Sequence, residues 1–425
     1  MRRRDLLGAG VGLSWLAASR AIAAPVLSAD NFGLTLSDAG RRNGWIEVDA
    51  DAFETNIDVV REWVGTTDVC AVLKGDAYGN GIALLIPSVL RKGITDVAIT
   101  SNDEARVARQ LGYRGRLIRV RMATPDEMED GFRFRIEELV SNPDAATKLQ
   151  EMWLKKPDRQ PLPVHFALNA GGMSRNGLEL STDYGKTDAR AILALRGLSI
   201  RGVMTHYPTE EVSDILGQLG RFQEDLAWLK GHGLKGDRLV RHTAATYPAL
   251  KVPETRLDMV RVGGLLYGDP SSYPTDRFLP TMTIKSRVAG VNHYPAGQTV
   301  SYDRTYRLER ESWVANIPLG YSDGYRRSLS HANRPEYAAE GRNRTHMLIR
   351  GQRFPVIGRV AMNTLMVDVT GSQDVIRLDD EVVLLGAQGG ERITKAELVA
   401  NGSANGDEML AVLGNGLPRV LKSGQ

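Results

Sequence analysis

Apolar residues fall into two textures along the chain. From about Asp68, short β-branched runs alternate with longer stretches in which apolar residues recur at helical spacing, the pattern of repeated β-α units. Eight candidate strands lie near 69–73, 97–100, 117–121, 136–140, 164–168, 200–204, 239–241 and 259–262, with helices such as 104–111 and 215–230 between them. Eight units predict an α/β fold, a TIM-like (β/α)8 barrel over 44–275. A doubly wound sheet shares this periodicity, which cannot by itself close a barrel. After about Pro280, segments 281–291, 313–317, 347–349, 364–369 and 381–385 read as strands set off by Gly, Pro and Asp turns, with little helix until 395–400. They predict a second, β-rich domain over 276–425, and 44–48 looks like a strand able to pair with it. Segment 331–344, rich in Arg and Asn and without a clear period, reads as a surface insertion of no evident role.

The N-terminus has the order of an export signal. Arg2, Arg3 and Arg4 precede an apolar stretch from Leu6 to Ser19, and Ala21-Ile22-Ala23 fits a cleavage site. Residues 1–23 are therefore expected to be a cleaved signal and 24–43 an N-terminal extension, placing the mature chain in the periplasm. A buried N-terminal helix is the structural alternative. Arg3-Arg4-Asp5-Leu6-Leu7 fits the twin-arginine route and an ordinary secretory one alike. The apolar stretch is too short for a stable anchor and no other long one follows, so no stable membrane insertion is expected. Gly8-Ala9-Gly10-Val11-Gly12 follows no strand, which argues against a dinucleotide loop.

Composition changes the picture in three places. Losing 1–23 removes four arginines and one aspartate, taking the formal charge from +3 to 0, so the basic balance gives no reason to invoke nucleic acid. Cys70 is the single cysteine, which rules out an intramolecular disulfide. The seven histidines form no ligand-spaced cluster, and no metal is expected.

The strongest chemical signal is Ala71-Val72-Leu73-Lys74-Gly75-Asp76-Ala77-Tyr78-Gly79-Asn80-Gly81. It ends the first barrel strand on a lysine and continues into a glycine-rich turn, on the face where barrels carry their chemistry. A lone lysine is ordinarily a solvated charge. At the end of an apolar strand its amine can be desolvated, which lowers its pKa and makes it a nucleophile toward an aldehyde.

This segment closely resembles the cofactor-lysine segment of the alanine racemase family, the fold-type III pyridoxal 5'-phosphate (PLP) enzymes, and the match continues over roughly residues 44–420. The resemblance implies that Lys74 holds PLP. It places Arg175 of Met173-Ser174-Arg175 near the cofactor phenolate and substrate carboxylate, His206 beside the pyridine ring, and Arg261 on the ring nitrogen. Tyr78, Thr246, Gly263 and Gly264 are the phosphate candidates, since a dianion suits small residues and closely approaching N–H groups. An arginine should leave the ring nitrogen unprotonated, which favours returning a proton to Cα over transamination. Val300-Ser301-Tyr302-Asp303-Arg304 and Gly320-Tyr321-Ser322-Asp323 resemble two further family blocks, implying a catalytic Tyr302 and an entrance Tyr321. Gly358-Arg359-Val360-Ala361-Met362-Asn363 resembles the block that contacts the substrate, so Met362 and Asn363 join the candidates. Racemisation removes a proton from one face and supplies it to the other, and Lys74 and Tyr302 meet that requirement. A phenol with its ordinary pKa near ~10 is a poor base at neutral pH, so a hydrogen-bonded path from Tyr302 through His206 toward Arg261 is expected. The family also implies a head-to-tail homodimer in which Tyr302 and Met362 reach the partner's barrel.

Departures from the alanine-specific pattern point to a particular branch. Leu168 stands where many alanine racemases carry a carbamylated lysine, Asn363 where most have aspartate, Ala245 where an asparagine is usual, and Asp407 near a family tyrosine. Asn169-Ala170-Gly171-Gly172-Met173-Ser174-Arg175-Asn176-Gly177 resembles the broad-specificity branch, in which a bound chloride replaces the carbamate, with Asn169 and Asn176 as its candidates. The expectation is a periplasmic PLP-dependent racemase acting on free amino acids, with lysine, arginine, methionine and alanine as substrates. An alanine-specific racemase and a non-catalytic PLP or amino-acid-binding protein are the alternatives. A decarboxylase on the same barrel usually has a partner-supplied cysteine and an acid at the ring nitrogen, where Tyr302 and Arg261 disagree.

Overall fold

The computed structural model describes residues 36–157, 160–173, 175–236, 238–268, 276–340, 345–402 and 406–422. The expected signal, Ser174 and residues 341–344 lie outside them. After β1 (Gly44–Val48) come eight parallel strands: β2 (Asp68–Val72), β3 (Asp96–Ile99), β4 (Arg116–Arg119), β5 (Ile136–Val140), β6 (Leu162–Ala167), β7 (Leu198–Met204), β8 (Val240–His242) and β9 (Met259–Val262). They hydrogen-bond in the order β8-β7-β6-β5-β4-β3-β2-β9, with no reversal of the kind a doubly wound sheet has at its switch point. The described residues form no ladder between β8 and β9. Two backbone bonds, Asp258 N to Arg241 O (3.2 Å) and Arg261 N to Ala244 O (2.9 Å), join them instead, beside the Arg241–Asp258 ion pair at 2.6 Å. The result is a nearly closed barrel.

Local chemistry explains these elements. β3 and β5 are buried along their whole length, as parallel strands covered on both faces must be. In the helix Val212–Gly231, Ile215, Leu219, Phe222, Leu226 and Leu229 are buried along one face, a stripe at helical spacing. Ser101 and Glu104 form a capping box that starts the helix Asn102–Gln110. Thr124, Asn142 and Thr182 cap three other barrel helices.

β1 is not part of the barrel. It pairs antiparallel with Met282–Arg287 and parallel with Arg419–Leu421, joining a ten-stranded sheet of C-terminal strands. The run 281–291, read as one strand, is two: Met282–Arg287 and Gly290–Tyr294. The break lies at Val288 and Ala289, whose amides leave the ladder for Asp380 O (3.0 Å) and Asn316 O (2.9 Å). The strands Gln352–Ile357 and Arg419–Leu421 and the helix Gly406–Val412 were not expected from the sequence. Pro355 breaks the strand signal of the first, and the second has only three residues. The polar insertion carries a 3-10 helix, Pro335–Glu340.

Candidate active site

β2 delivers Lys74 to the carboxyl-terminal rim of the barrel through a left-handed turn. Gly75, Asp76, Ala77 and Tyr78 all have positive φ, between 53° and 63°. Each of the three non-glycine residues costs about 1–2 kcal/mol there, so the turn must be over-determined by its surroundings. Glu104 accepts from Asp76 N (3.2 Å), Asp76 accepts from Ile82 N (2.8 Å), and the fully buried Asn80 donates to Ala77 O (3.0 Å) and Tyr78 O (3.3 Å). Thr281 fixes the Asn80 carbonyl from the β domain at 2.7 Å.

The turn sets Lys74 Nζ 5.6 Å from the centre of the Tyr78 ring, in a cavity of about 510 Å³. Lys74, Tyr78, Arg175, His206, Thr246, Arg261, Gly263 and Gly264 all line it, so the eight cofactor candidates come together, whereas Asn169 and Asn176 are not among the lining residues. Ala245 and Asp407 line it as well. Three of the phosphate candidates meet here: Gly263 N donates to Thr246 Oγ1 at 3.4 Å, and a Cβ on Gly263 would meet the Tyr78 hydroxyl at 2.3 Å, so only glycine permits this approach. Tyr78 is held by stacking on Tyr267 at 4.8 Å.

Burial and mutual repulsion set the charges. Lys74 is pushed below the ordinary amine range by burial and by Arg175 and Arg261, while Asp407 and Glu104 pull the other way. His206 falls to about 2, by burial first and then by Arg261, Arg175 and Lys74, so its ring is neutral at physiological pH. Arg261 falls to about 10, chiefly by burial, and remains a cation. A site with two arginines, a lysine and a glycine-lined amide fits an anionic cofactor carrying phosphate and an aldehyde, and the residues present therefore fit PLP.

Arg261 rests on a chain of groups that the sequence reading missed. Its Nη2 donates to Thr205 O (2.9 Å) and Thr243 O (3.2 Å) and lies 3.5 Å from His206 Nδ1, and its Nη1 lies 3.1 Å from His242 Nδ1. His242 Nε2 lies 2.7 Å from His165 Nδ1, and His165 Nε2 is 2.7 Å from Glu137. Arg261 can only donate, which sets the direction: Arg261 to His242, His242 to His165, His165 to the Glu137 carboxylate. Burial, then His165 and Arg261, push His242 well below the usual imidazole range. Burial raises Glu137, but the hydrogen bond with His165 and the charges of Arg116 and Arg201 outweigh it and leave its pKa lowered. A histidine inside the apolar strand β6 was the available signal, together with Gly202 in β7, where a Cβ would meet His165 Nδ1 at 2.2 Å.

The other candidates form a second cluster. Tyr321 N donates to Ala361 O (3.0 Å), Ser322 Oγ to Met362 O (2.7 Å) and Asn363 Nδ2 to Ser322 Oγ (2.8 Å), joining two motif blocks. The Tyr302 block joins them through Ser301 Oγ to Arg359 O (2.6 Å) and an Asp303–Arg359 ion pair. Tyr302, Met362 and Tyr321 are 65%, 54% and 40% exposed, and none of the three lines the lysine cavity of its own chain. Of the expected path from Tyr302 through His206 to Arg261, the described residues show the His206–Arg261 half, and Tyr302 does not line the cavity of its own chain. Asn169 donates to Glu179 (2.6 Å) and accepts from Met173 N (2.9 Å), while Asn176 is exposed. Leu168 is buried at the end of β6.

A near-closed barrel with a desolvated lysine at its mouth, tied through its first strand to a β domain, defines the class. The chain belongs to the alanine racemase family: the alanine racemase N-terminal domain model matches residues 48–271 and the C-terminal domain model residues 281–421. It is 44% identical over 412 residues to a broad specificity amino-acid racemase of Aeromonas hydrophila, covering 96% of this chain and 97% of that one. It is 42% identical over 381 residues to a lysine racemase of Proteus mirabilis, covering 89% of each. Its fold matches the alanine racemase of Bacillus anthracis solved with bound L-Ala-P, at TM-score 0.79 and 26% identity, over 90% of this chain and 95% of that one.

Proposed function

We propose that this protein is a periplasmic PLP-dependent racemase that interconverts the L and D forms of many amino acids, working as a head-to-tail homodimer. The gathering of Lys74, Arg175, His206, Arg261 and Gly263 in one basic cavity carries the reading. The names of its relatives in Aeromonas and Proteus support the reaction and its breadth.

PLP, when bound, supplies an electron sink that acidifies the Cα–H of the attached amino acid. Lys74 would hold its carbonyl carbon, Tyr78, Thr246 and the amides of Gly263 and Gly264 its phosphate, and Arg261 its ring nitrogen. Because burial and Arg175 depress the Lys74 pKa, its amine is available to take a proton from one face of Cα. The Tyr302 hydroxyl of the partner subunit delivers a proton to the other face. Arg175 holds the substrate carboxylate, with a chloride near Asn169 and Asn176 as the anion beside it. Tyr321, Met362 and Asn363 border the entrance from the partner side.

Breadth follows from what the pocket lacks. Asn363 is uncharged, and the short acid Asp407 stands in the cavity, leaving a wider, more polar space. Its carboxylate favours cationic side chains. Lysine, arginine, methionine and alanine should be racemised, and aspartate and glutamate poorly. Incubating purified protein with single L-amino acids and resolving the product enantiomers tests this. Turnover of alanine alone would return the chain to the alanine-specific reading, and no turnover of any amino acid would return it to the binding-protein reading.

A further inference from the structure

We infer that the polar insertion, through residues 331–337, is a clamp that positions Tyr302; the inference rests on the two-base reading above. Tyr302 sits in a backbone that would not hold this shape unaided. Ser301 (φ 61°, ψ −168°), Asp303 (φ 56°) and Arg304 (φ 53°) all occupy conformations that favour glycine, and none is glycine. Three consecutive carbonyl oxygens of this loop are bound by the insertion. Tyr337 Oη donates to Asp303 O (3.1 Å), Arg334 Nη1 to Arg304 O (2.9 Å), and the Asn333 and Arg334 amides to Thr305 O (3.2 and 3.3 Å).

The clamp is itself anchored. His331 N donates to Gly358 O at 3.1 Å, and the Asn333 side chain accepts from Arg307 N and donates to Arg307 O, both at 2.8 Å. Arg359, paired with Asp303, lies over the Tyr337 ring at 5.5 Å, with Arg334 over the same ring at 5.8 Å. A segment that contributes no residue to the lysine cavity thus fixes the backbone on which the second base is mounted. Tyr337 and Arg334 act through Tyr302 and are positioning residues.

The test uses the holoenzyme with Tyr337→Phe and Arg334→Met, each alone and in a Tyr302→Phe background. Interconversion of the enantiomers gives kcat and KM, and deuterium wash-in at Cα, which the Lys74 face still supports when Tyr302 is absent, gives the rate in the Tyr302→Phe background. The expected result is a roughly tenfold loss in kcat with KM within about twofold, since sub-ångström misplacement of a reacting group is costly. The same substitutions should change the rate by less than about twofold once Tyr302 is phenylalanine, because groups acting through one another are not additive. Hydrogen exchange at the Asn333 and Arg334 amides should quicken while that of the barrel strands stays unchanged. Normal kcat in both clamp variants beside an impaired Tyr302→Phe would overturn the clamp, as would equal losses in both backgrounds. Near-normal interconversion by Tyr302→Phe would instead overturn the two-base reading.

Discussion

Lys74 and Tyr302 stand in opposite surroundings. Lys74 is partly buried at the end of a barrel strand, and hydrogen bonds accepted by Glu104 and Asp76 and donated by Asn80 pin the turn beyond it. Tyr302 is 65% exposed on a strained loop, the carbonyls that follow it held by Tyr337 and Arg334, and it does not line the cavity of its own chain. The difference teaches how the site is divided. The groups that fit a cofactor are gathered in one barrel, whereas the residue proposed as second proton carrier is displayed on a surface, together with Met362 and Tyr321. A display of exposed aromatic and apolar groups is what an interface requires.

The comparison breaks most sharply at the lysine. Lys74→Ala should abolish racemisation, and borohydride reduction of the wild-type holoenzyme followed by peptide mapping should find the cofactor on Lys74; finding it on another lysine would undo the assignment. Tyr302→Phe should lower interconversion by about a hundredfold to ten-thousandfold, the usual worth of a general acid–base group, while reduction still marks Lys74. Smaller still is the effect expected of Asp407→Asn. It should reduce kcat/KM for lysine and arginine roughly tenfold and leave methionine within about twofold; parallel losses for all three would remove Asp407 as a charge selector.

A last effect concerns stability and not rate. His206 titrates at about 2 when folded and near ~6.5 when unfolded, so below that pH the unfolded chain binds the extra proton. Stability of the cofactor-free protein should therefore be full above pH ~6.5 and decline as pH falls. His206→Gln should flatten that decline by up to about 1.4 kcal/mol per pH unit, measured by denaturant unfolding at several pH values. An unchanged slope would mean that His206 is not held neutral by burial.

Much of the fold was legible because parallel barrel strands leave long apolar runs bounded by turns. All eight stand within a few residues of where the pattern put them, and the lysine motif ends the first. What escaped lacked such runs: Arg419–Leu421 is three residues long, Pro355 interrupts Gln352–Ile357, and no apolar pattern marks the bend at Val288. In the site, residues carried by motif blocks were readable one by one. The Glu137–His165–His242 chain was not, since each member lies on a different strand and only the folded barrel brings each within 2.7 Å of the next. Nor could a polar insertion be tied to the Tyr302 loop, because a grip on carbonyl oxygens leaves no trace in side-chain pattern.

The central claim is that one site draws Lys74 and Tyr302 from different subunits, and mixed dimers test it most directly. Lys74→Ala and Tyr302→Phe chains carrying different tags are co-expressed, and dimers containing one of each are purified through both tags. Each variant alone should be nearly inactive. The mixed dimer should contain one intact site and one doubly damaged site, and so regain about half the wild-type activity per dimer. A mixed dimer no more active than its parents would show that the two residues must belong to the same chain and would contradict the account.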